Sequence, residues 1–556
     1  MAQPSMRNRK LFWLSYLATT VWVILFLIIN NQADMDLWGV MSFGALLDQN
    51  TGRFPYIDPF SYTAKGVPWI YHEWGSGVVF YQFFKYGGSQ ALFWLKLLLV
   101  EVMLVLSCHL YLLGGLRRRP QPPSRLSQAV YALCLPFVVY LLMPDVDTTI
   151  RCQLFTFAGF AFFLYLLKRH SQGRLVYGIW LIPLYMLVWA NLHGGFIMGL
   201  GLLGIYLIYH WFSDRNRQTE SLAVVLFLST LATMANPYGL QFWQTMISAW
   251  TLPRTHISEW GNILSLGIPF YGFIYTALYL LGLLLGFLQW RRTRELFPVS
   301  LVLLLFTGAY GWLHYKLAPL YLLTFLSIGM DSLDEDLGLL ASWLPLTLNR
   351  YKQAVTQVFP ALTLWFVTGL LVLGLFLGGF YWRGHPDLWS VKIPTLPASA
   401  SKPIREGSMT TFYYPVGVTG YLLRHHVHGN LWVPFAWGEF LYWVLYPQCR
   451  ISIDGRYETV YSERIFNDFY RFYHPPYPLA LAERYPTTHI LVDIAHPTLI
   501  QKLRMSRKWF EVYQDNESVL FSRHREPLEV QKVPHKPLTL DNYRGDLSRF
   551  TSIVGI

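Results

Sequence analysis

The chain has 556 residues, of which 53% are hydrophobic, 17% aromatic and only 14% charged. That is more apolar side chain than the core of a water-soluble protein can enclose, which points to an integral membrane protein. The formal net charge of +12 excludes no class by itself, but the basic residues lie in alternate loops between apolar runs instead of forming one footprint, so a nucleic-acid partner is not expected.

A membrane-spanning helix needs about 20 mostly apolar residues, and a helix satisfies its own backbone polar groups in lipid. Runs of this kind fall near 11–30, 90–113, 126–144, 152–168, 174–190, 196–212, 221–235, 270–290, 297–312, 317–330 and 359–382. The first is too long and too rich in Trp, and too poor in small residues at its end, to read as a removed signal peptide; it is expected to stay as an anchor. Arg7, Arg9 and Lys10 precede it. Further basic residues, Arg117 to Arg119, Lys168 with Arg169, Arg215 with Arg217, Arg291 with Arg292, and Arg350 with Lys352, recur in every second loop. The positive-inside rule then sets the N-terminus in the cytoplasm and, with an odd number of spans, the C-terminal region outside. Lys96 and Glu101 fall inside the second run, where charges are costly; they read as structural, Lys96 snorkelling and Glu101 paired with a histidine such as His109. Four cysteines in a chain of this length imply no disulfide framework.

The expected organisation is a polytopic α-helical membrane domain over 1–382 with an external loop at 31–89, a linker at 383–411 marked by Pro394, Pro397 and Pro403, an α/β domain at 412–525, and a tail at 526–556. Within 412–525, strands are expected at 430–435, 449–454, 489–493 and as a hairpin around 509–523, separated by helices.

Chemistry-bearing residues cluster in the loops on the outer side. Asp34 and Asp36 follow the first run, two residues apart, a spacing that suits a divalent cation such as Mg or Mn, or a base with a charge partner, and equally a solvated helix end. His72 and Glu73 adjoin each other among aromatics but lack the second histidine of an HExxH zinc motif. His193, Glu259, His314 and Lys316 mark further helix ends on that side, each by itself suited to a cap or interfacial anchor. Asp454-Gly455-Arg456 closes a strand and fits either a crevice residue or a turn with an internal salt bridge.

The ordered set GRFPYIDPFSYTAKGVPWIYHEW, WANLHGGF, ANPYGL, ISEW and WGEFLYWVLYPQCRISIDGRY, placed after the acidic pair, resembles a group of bacterial multi-pass membrane proteins similar to the GT-C glycosyltransferase superfamily, mannosyltransferase-like in type. The resemblance spans about residues 11–525. It implies an inverting enzyme in the inner membrane that takes a sugar from a polyprenyl-phosphate donor to an acceptor glycan, lipid or protein on the outer face, with Asp36 or Asp34 as general base. His72, Glu73, His193, Glu259, His314 and Lys316 are then expected to bind substrate. The chain departs from the group's pattern in one place: where relatives carry a His, as in DTWWHL, it reads Asp36-Leu37-Trp38-Gly39-Val40-Met41. That departure motivates the alternative of a non-catalytic scaffold or lipid-binding subunit in a membrane assembly.

Overall fold

The structure is a computed structural model that describes residues 10–29, 33–49, 52–113, 123–146, 150–213, 217–251, 260–266, 269–296, 298–343, 349–384, 414–526 and 529–530. Fourteen helices among these make the N-terminal bundle. They are α1 (Lys10–Ile29), α2 (Met35–Gln49), α3 (Trp74–Leu112), α4 (Arg125–Val146), α5 (Gln153–Ser171), α6 (Leu181–Leu192) and α7 (Phe196–Ser213), followed by α8 (Arg217–Ala232), α9 (Leu240–Thr251), α10 (Pro269–Thr293), α11 (Val299–Leu313), α12 (Ala318–Thr324), α13 (Leu333–Trp343) and α14 (Asn349–Gly384). Six of them, α1, α3, α4, α7, α10 and α14, are long and apolar enough to cross a membrane, and shorter apolar helices lie at Gly178–Leu192, Gln218–Ala232, Val299–Leu313 and Tyr315–Gly329.

The run expected at 90–113 begins much earlier. Helix α3 starts at Trp74 and is interrupted at Gly88, whose φ of 64° is open to a residue without a Cβ. Its first half packs on α2 at backbone distance: a Cβ on Gly77 would lie 2.6 Å from the Val40 carbonyl oxygen. The stretch 31–89 is therefore largely helical. Inside α3, Glu101 accepts a hydrogen bond from the Tyr16 hydroxyl at 2.7 Å, where His109 was expected, and His109 instead stacks on Tyr165. Lys96 is fully buried and does not snorkel.

The C-terminal region adds α15 (Val416–Arg424), α16 (Gly438–Leu445), α17 (Tyr457–Val460), α18 (Glu463–Phe472), α19 (Ala480–Glu483) and α20 (Pro497–Arg504) around a six-stranded mixed sheet. The strands are β1 (Gly429–Trp432), β2 (Cys449–Ile451), β3 (His489–Asp493), β4 (Phe510–Gln514), β5 (Ser518–Ser522) and β6 (Glu529–Val530), in spatial order β2-β1-β3-β5-β4-β6. β2, β1 and β3 run parallel, and β5 is antiparallel to both β3 and β4. β3 and β5 are the two central strands of the sheet and are buried almost throughout, which is why His489–Asp493 and Ser518–Ser522 read as near-continuous apolar runs.

The edge at β2 is covered by the bundle's first loop. Ile451 donates its N–H to Phe60 O at 3.0 Å and accepts from Tyr62 N–H at 3.1 Å. Phe43, Phe60, Trp69 and Tyr71 share one apolar core with Leu431, Trp432, Leu441 and Tyr442. Covering the edge removes a row of unpaired backbone groups and fixes the α/β region over the end of the bundle that bears the first loop. The described cysteines, Cys108, Cys134, Cys152 and Cys449, are all buried and free.

Candidate functional site

Asp34 stands at the start of α2 and acts as its cap: its Oδ1 accepts the Asp36 N–H at 2.9 Å, and its carbonyl accepts from Leu37 N–H at 3.2 Å. The cap turns the Asp34 side chain inward, 4% exposed, and leaves that of Asp36 outward, 51% exposed. Arg151, just before α5, joins the two: its Nη2 is 2.6 Å from Asp36 Oδ2 and its Nε is 3.4 Å from Asp34 Oδ2. The Tyr414 hydroxyl donates to Ala33 O at 2.8 Å and accepts from Trp38 Nε1 at 2.9 Å, so the C-terminal region locks both sides of the acidic pair.

From the α/β side, α16 inserts Glu439. Its Oε2 accepts the Gly39 N–H at 3.1 Å, the one arrangement that fits here, since a Cβ on Gly39 would run into the same carboxyl. Gly39 is thus a close backbone approach to a buried acid. Burial, reinforced by the charges of Asp36 and Asp454, pushes the Glu439 carboxyl well above the usual carboxylate range, with Arg456 opposing. Asp454 and Arg456 form the internal salt bridge that was one of two readings of that turn. Arg456 reaches Asp454 Oδ2 at 2.6 Å and Asp58 Oδ1 at 2.7 Å, and its guanidinium carbon lies 4.7 Å from the centre of Trp69 and 5.0 Å from that of Tyr442.

A second cluster adjoins the first through Arg151 and Cys152. Glu73 directly precedes α3, and its Oε1 lies 3.4 Å from His193 Nε2 and 3.7 Å from His72 Nε2. His193 Nδ1 accepts the Gly195 N–H at 3.0 Å and pairs with the Thr156 hydroxyl at 2.7 Å, while Trp189 Nε1 donates to the same hydroxyl at 2.9 Å. An accepting Nδ1 assigns the ring proton to Nε2, which faces Glu73. Burial pushes Glu73 up and His193 well down, with His72, Lys316 and Arg151 adding to the latter. His193 is therefore a neutral donor.

Of the expected site residues, Asp34, Asp36, His72, Glu73 and His193 come together. Lys316 sits with its Nζ 5.7 Å from the centre of the Trp260 ring, within electrostatic reach of Glu73 and His193. His314 instead donates from Nδ1 to Trp260 O at 2.8 Å and serves the turn at the end of α11. Glu259 lies outside the described residues. The site residues that sequence reasoning missed are Arg151 and Thr156, and it left Glu439 outside the site. A cation between Asp34 and Asp36 does not fit the side chains present, because the Arg151 guanidinium takes that place; among the described residues no group of three His, Cys, Asp or Glu gathers as a metal site.

No protein-family model matches the chain. No curated protein matches it either. Among solved structures it is similar to the archaeal oligosaccharyltransferase AglB from Archaeoglobus fulgidus in complex with an inhibitory peptide and a dolichol-phosphate, at a TM-score of 0.50 and 11% identity, over 96% of this chain and 76% of that one. The two share a fold. At that identity the likeness is one of fold alone.

Proposed function

We propose that this protein is a membrane glycosyltransferase of GT-C type, moving a sugar from a polyprenyl-phosphate donor to an acceptor on the outer face of the bacterial inner membrane. The observation that supports it is the half-exposed Asp36 carboxylate, held by the Asp34 cap and Arg151 beside a ring of polar helix ends. In this reading Asp36 takes the proton of the acceptor hydroxyl. The acceptor oxygen then forms its bond to the anomeric carbon as the bond to the lipid phosphate breaks, with inversion. The departing phosphate carries negative charge away, and Arg151, Lys316 and the Nε2–H of His193 are the cationic and donor groups near enough to meet it. The solved neighbour's dolichol-phosphate is a lipid of the same chemical kind as the donor proposed for this chain.

The test is sugar transfer from radiolabelled polyprenyl-phosphate sugars by the purified protein in lipid nanodiscs. Asp36→Asn is expected to lower kcat by about 10² to 10⁴ with an unchanged melting temperature, the range for loss of a general base. Full turnover in both Asp36→Asn and Asp34→Asn would overturn the reading. Stable co-purification with membrane partners and no transfer from any such donor would favour the scaffold alternative.

A further inference from the structure

Glu439 is the acid of this site that comes from outside the bundle. It is buried, it grips the backbone of the first turn of α2, and its other oxygen looks toward Asp36: a Cβ on Gly455 would lie 2.8 Å from Glu439 Oε1 and 3.4 Å from Asp36 Oδ1. The two carboxyls border one gap that exists only because residue 455 is glycine. Arg151 already serves Asp34 and Asp36, and Arg456 already serves Asp58 and Asp454. The groups facing Glu439 are Asp34 and Asp36 from α2, Asp454 and Arg456 from the turn after β2, and the phenols of Tyr71, Tyr414 and Tyr442. Charged carboxylates thus outnumber cations around it, and a buried like-charge pair cannot both ionise cheaply.

We propose that the C-terminal α/β region completes the active site by supplying Glu439 as a positioning residue, kept protonated, which holds the first turn of α2 and leaves Asp36 as the charged carboxylate facing the substrate. The inference rests on the glycosyltransferase reading but makes a claim about protonation that stands apart from turnover. In the transfer step the acceptor proton goes to Asp36 and leaves through its exposed side to solvent, while the Glu439 proton stays where it is. As pH rises and Glu439 ionises, a second negative charge beside Asp36 repels the donor's phosphate and the charge that phosphate gains as it leaves, and activity falls on the alkaline side.

The experiment compares Glu439→Ala and Glu439→Gln. Glu439→Ala should lose on the order of 100-fold in kcat, the cost of about 1 Å of misplacement. Glu439→Gln, neutral and isosteric, should restore most of that loss and carry activity to higher pH than the native chain. Infrared difference spectra at neutral pH should show a protonated-carboxyl stretch in the native protein that vanishes in Glu439→Gln. A folded Glu439→Gln protein as inactive as Glu439→Ala, an alkaline limb that does not move, or a missing carboxyl band would each overturn the proposal. No transfer by the native protein with the band present would instead count against the functional reading and leave this one standing on the spectrum.

Discussion

Arg151 is the cation of the acidic pair. It lies just before α5, against Asp34 and Asp36. Two carboxylates within reach of the one Arg151 guanidinium account for its place there. Its Nε and Nη2 address different aspartates, a division that the single ammonium of lysine cannot reproduce. Arg151→Lys is therefore expected to lower kcat/KM by about 10- to 100-fold, the worth of one charge-assisted hydrogen bond, and Arg151→Gln by more. Steady-state kinetics with a fixed acceptor and varied donor check this: a loss carried mostly by donor KM means that Arg151 also meets the phosphate, and a loss in kcat means that it chiefly sets Asp36. The acidic pair, the His72-Glu73 step and His193 were legible because each is polar in an apolar chain and follows an apolar run. Arg151 and Thr156 were not. The first hid among the many basic residues, and the second joins the candidate site only through its contact with His193 across two helix ends.

At the level of elements, the site depends on how α2 is held, because α2 carries both aspartates in or beside its first turn. It lies between α3 on one side and α16 on the other, and both contacts are made through glycine. A Cβ on Gly77 would lie 2.6 Å from Val40 O, and a Cβ on Gly44 would collide with Gly77 O; backbone atoms on both sides have no room to yield. Gly77→Val is expected to destabilise the bundle by about 1–3 kcal/mol, as overpacking does, and to lower activity further than its stability loss explains because α2 must shift. A thermal melt in detergent with parallel transfer assays would show the two effects together. Periodicity gave most of the bundle and, in the α/β region, the strands at 489–493 and around 509–523, since each is a long apolar run or an alternating pair. It did not give α2 or the first half of α3. Their small and aromatic residues, as in Trp74-Gly75-Ser76-Gly77, look like a loop until it is known that a second helix lies at backbone distance.

Across the whole molecule, the first loop and the α/β region form one packed unit, and Arg456 is its centre. It is buried, paired with Asp454 of its own turn and with Asp58 of the loop, and boxed by Phe60 and Trp69 from the loop and Tyr442 from α16. Asp58 also caps the loop, its carboxylate accepting the N–H groups of Phe60 and Ser61 at 3.1 and 3.0 Å. This arrangement was half visible in the sequence: Asp454 with Arg456 read as a salt bridge or a crevice, but a partner 398 residues away leaves no local signature. Removing one member of a buried ionic group strands the others, at a cost of about 3–5 kcal/mol, whereas an apolar replacement of similar length retains some of the packing. Arg456→Ala should thus loosen the loop from the sheet while the bundle stays folded. Hydrogen exchange would report this as lost protection at Tyr62 and Ile451, whose backbone bonds join loop to strand, with protection in α3 beyond Gly88 unchanged. Arg456→Met should lose less protection at the same amides. Activity should fall with the loop in both, because Glu439 and Gly455 reach Asp36 only while the α/β region stays docked. Protection at Tyr62 and Ile451 that survives Arg456→Ala would mean that the aromatic contacts alone hold the two halves together.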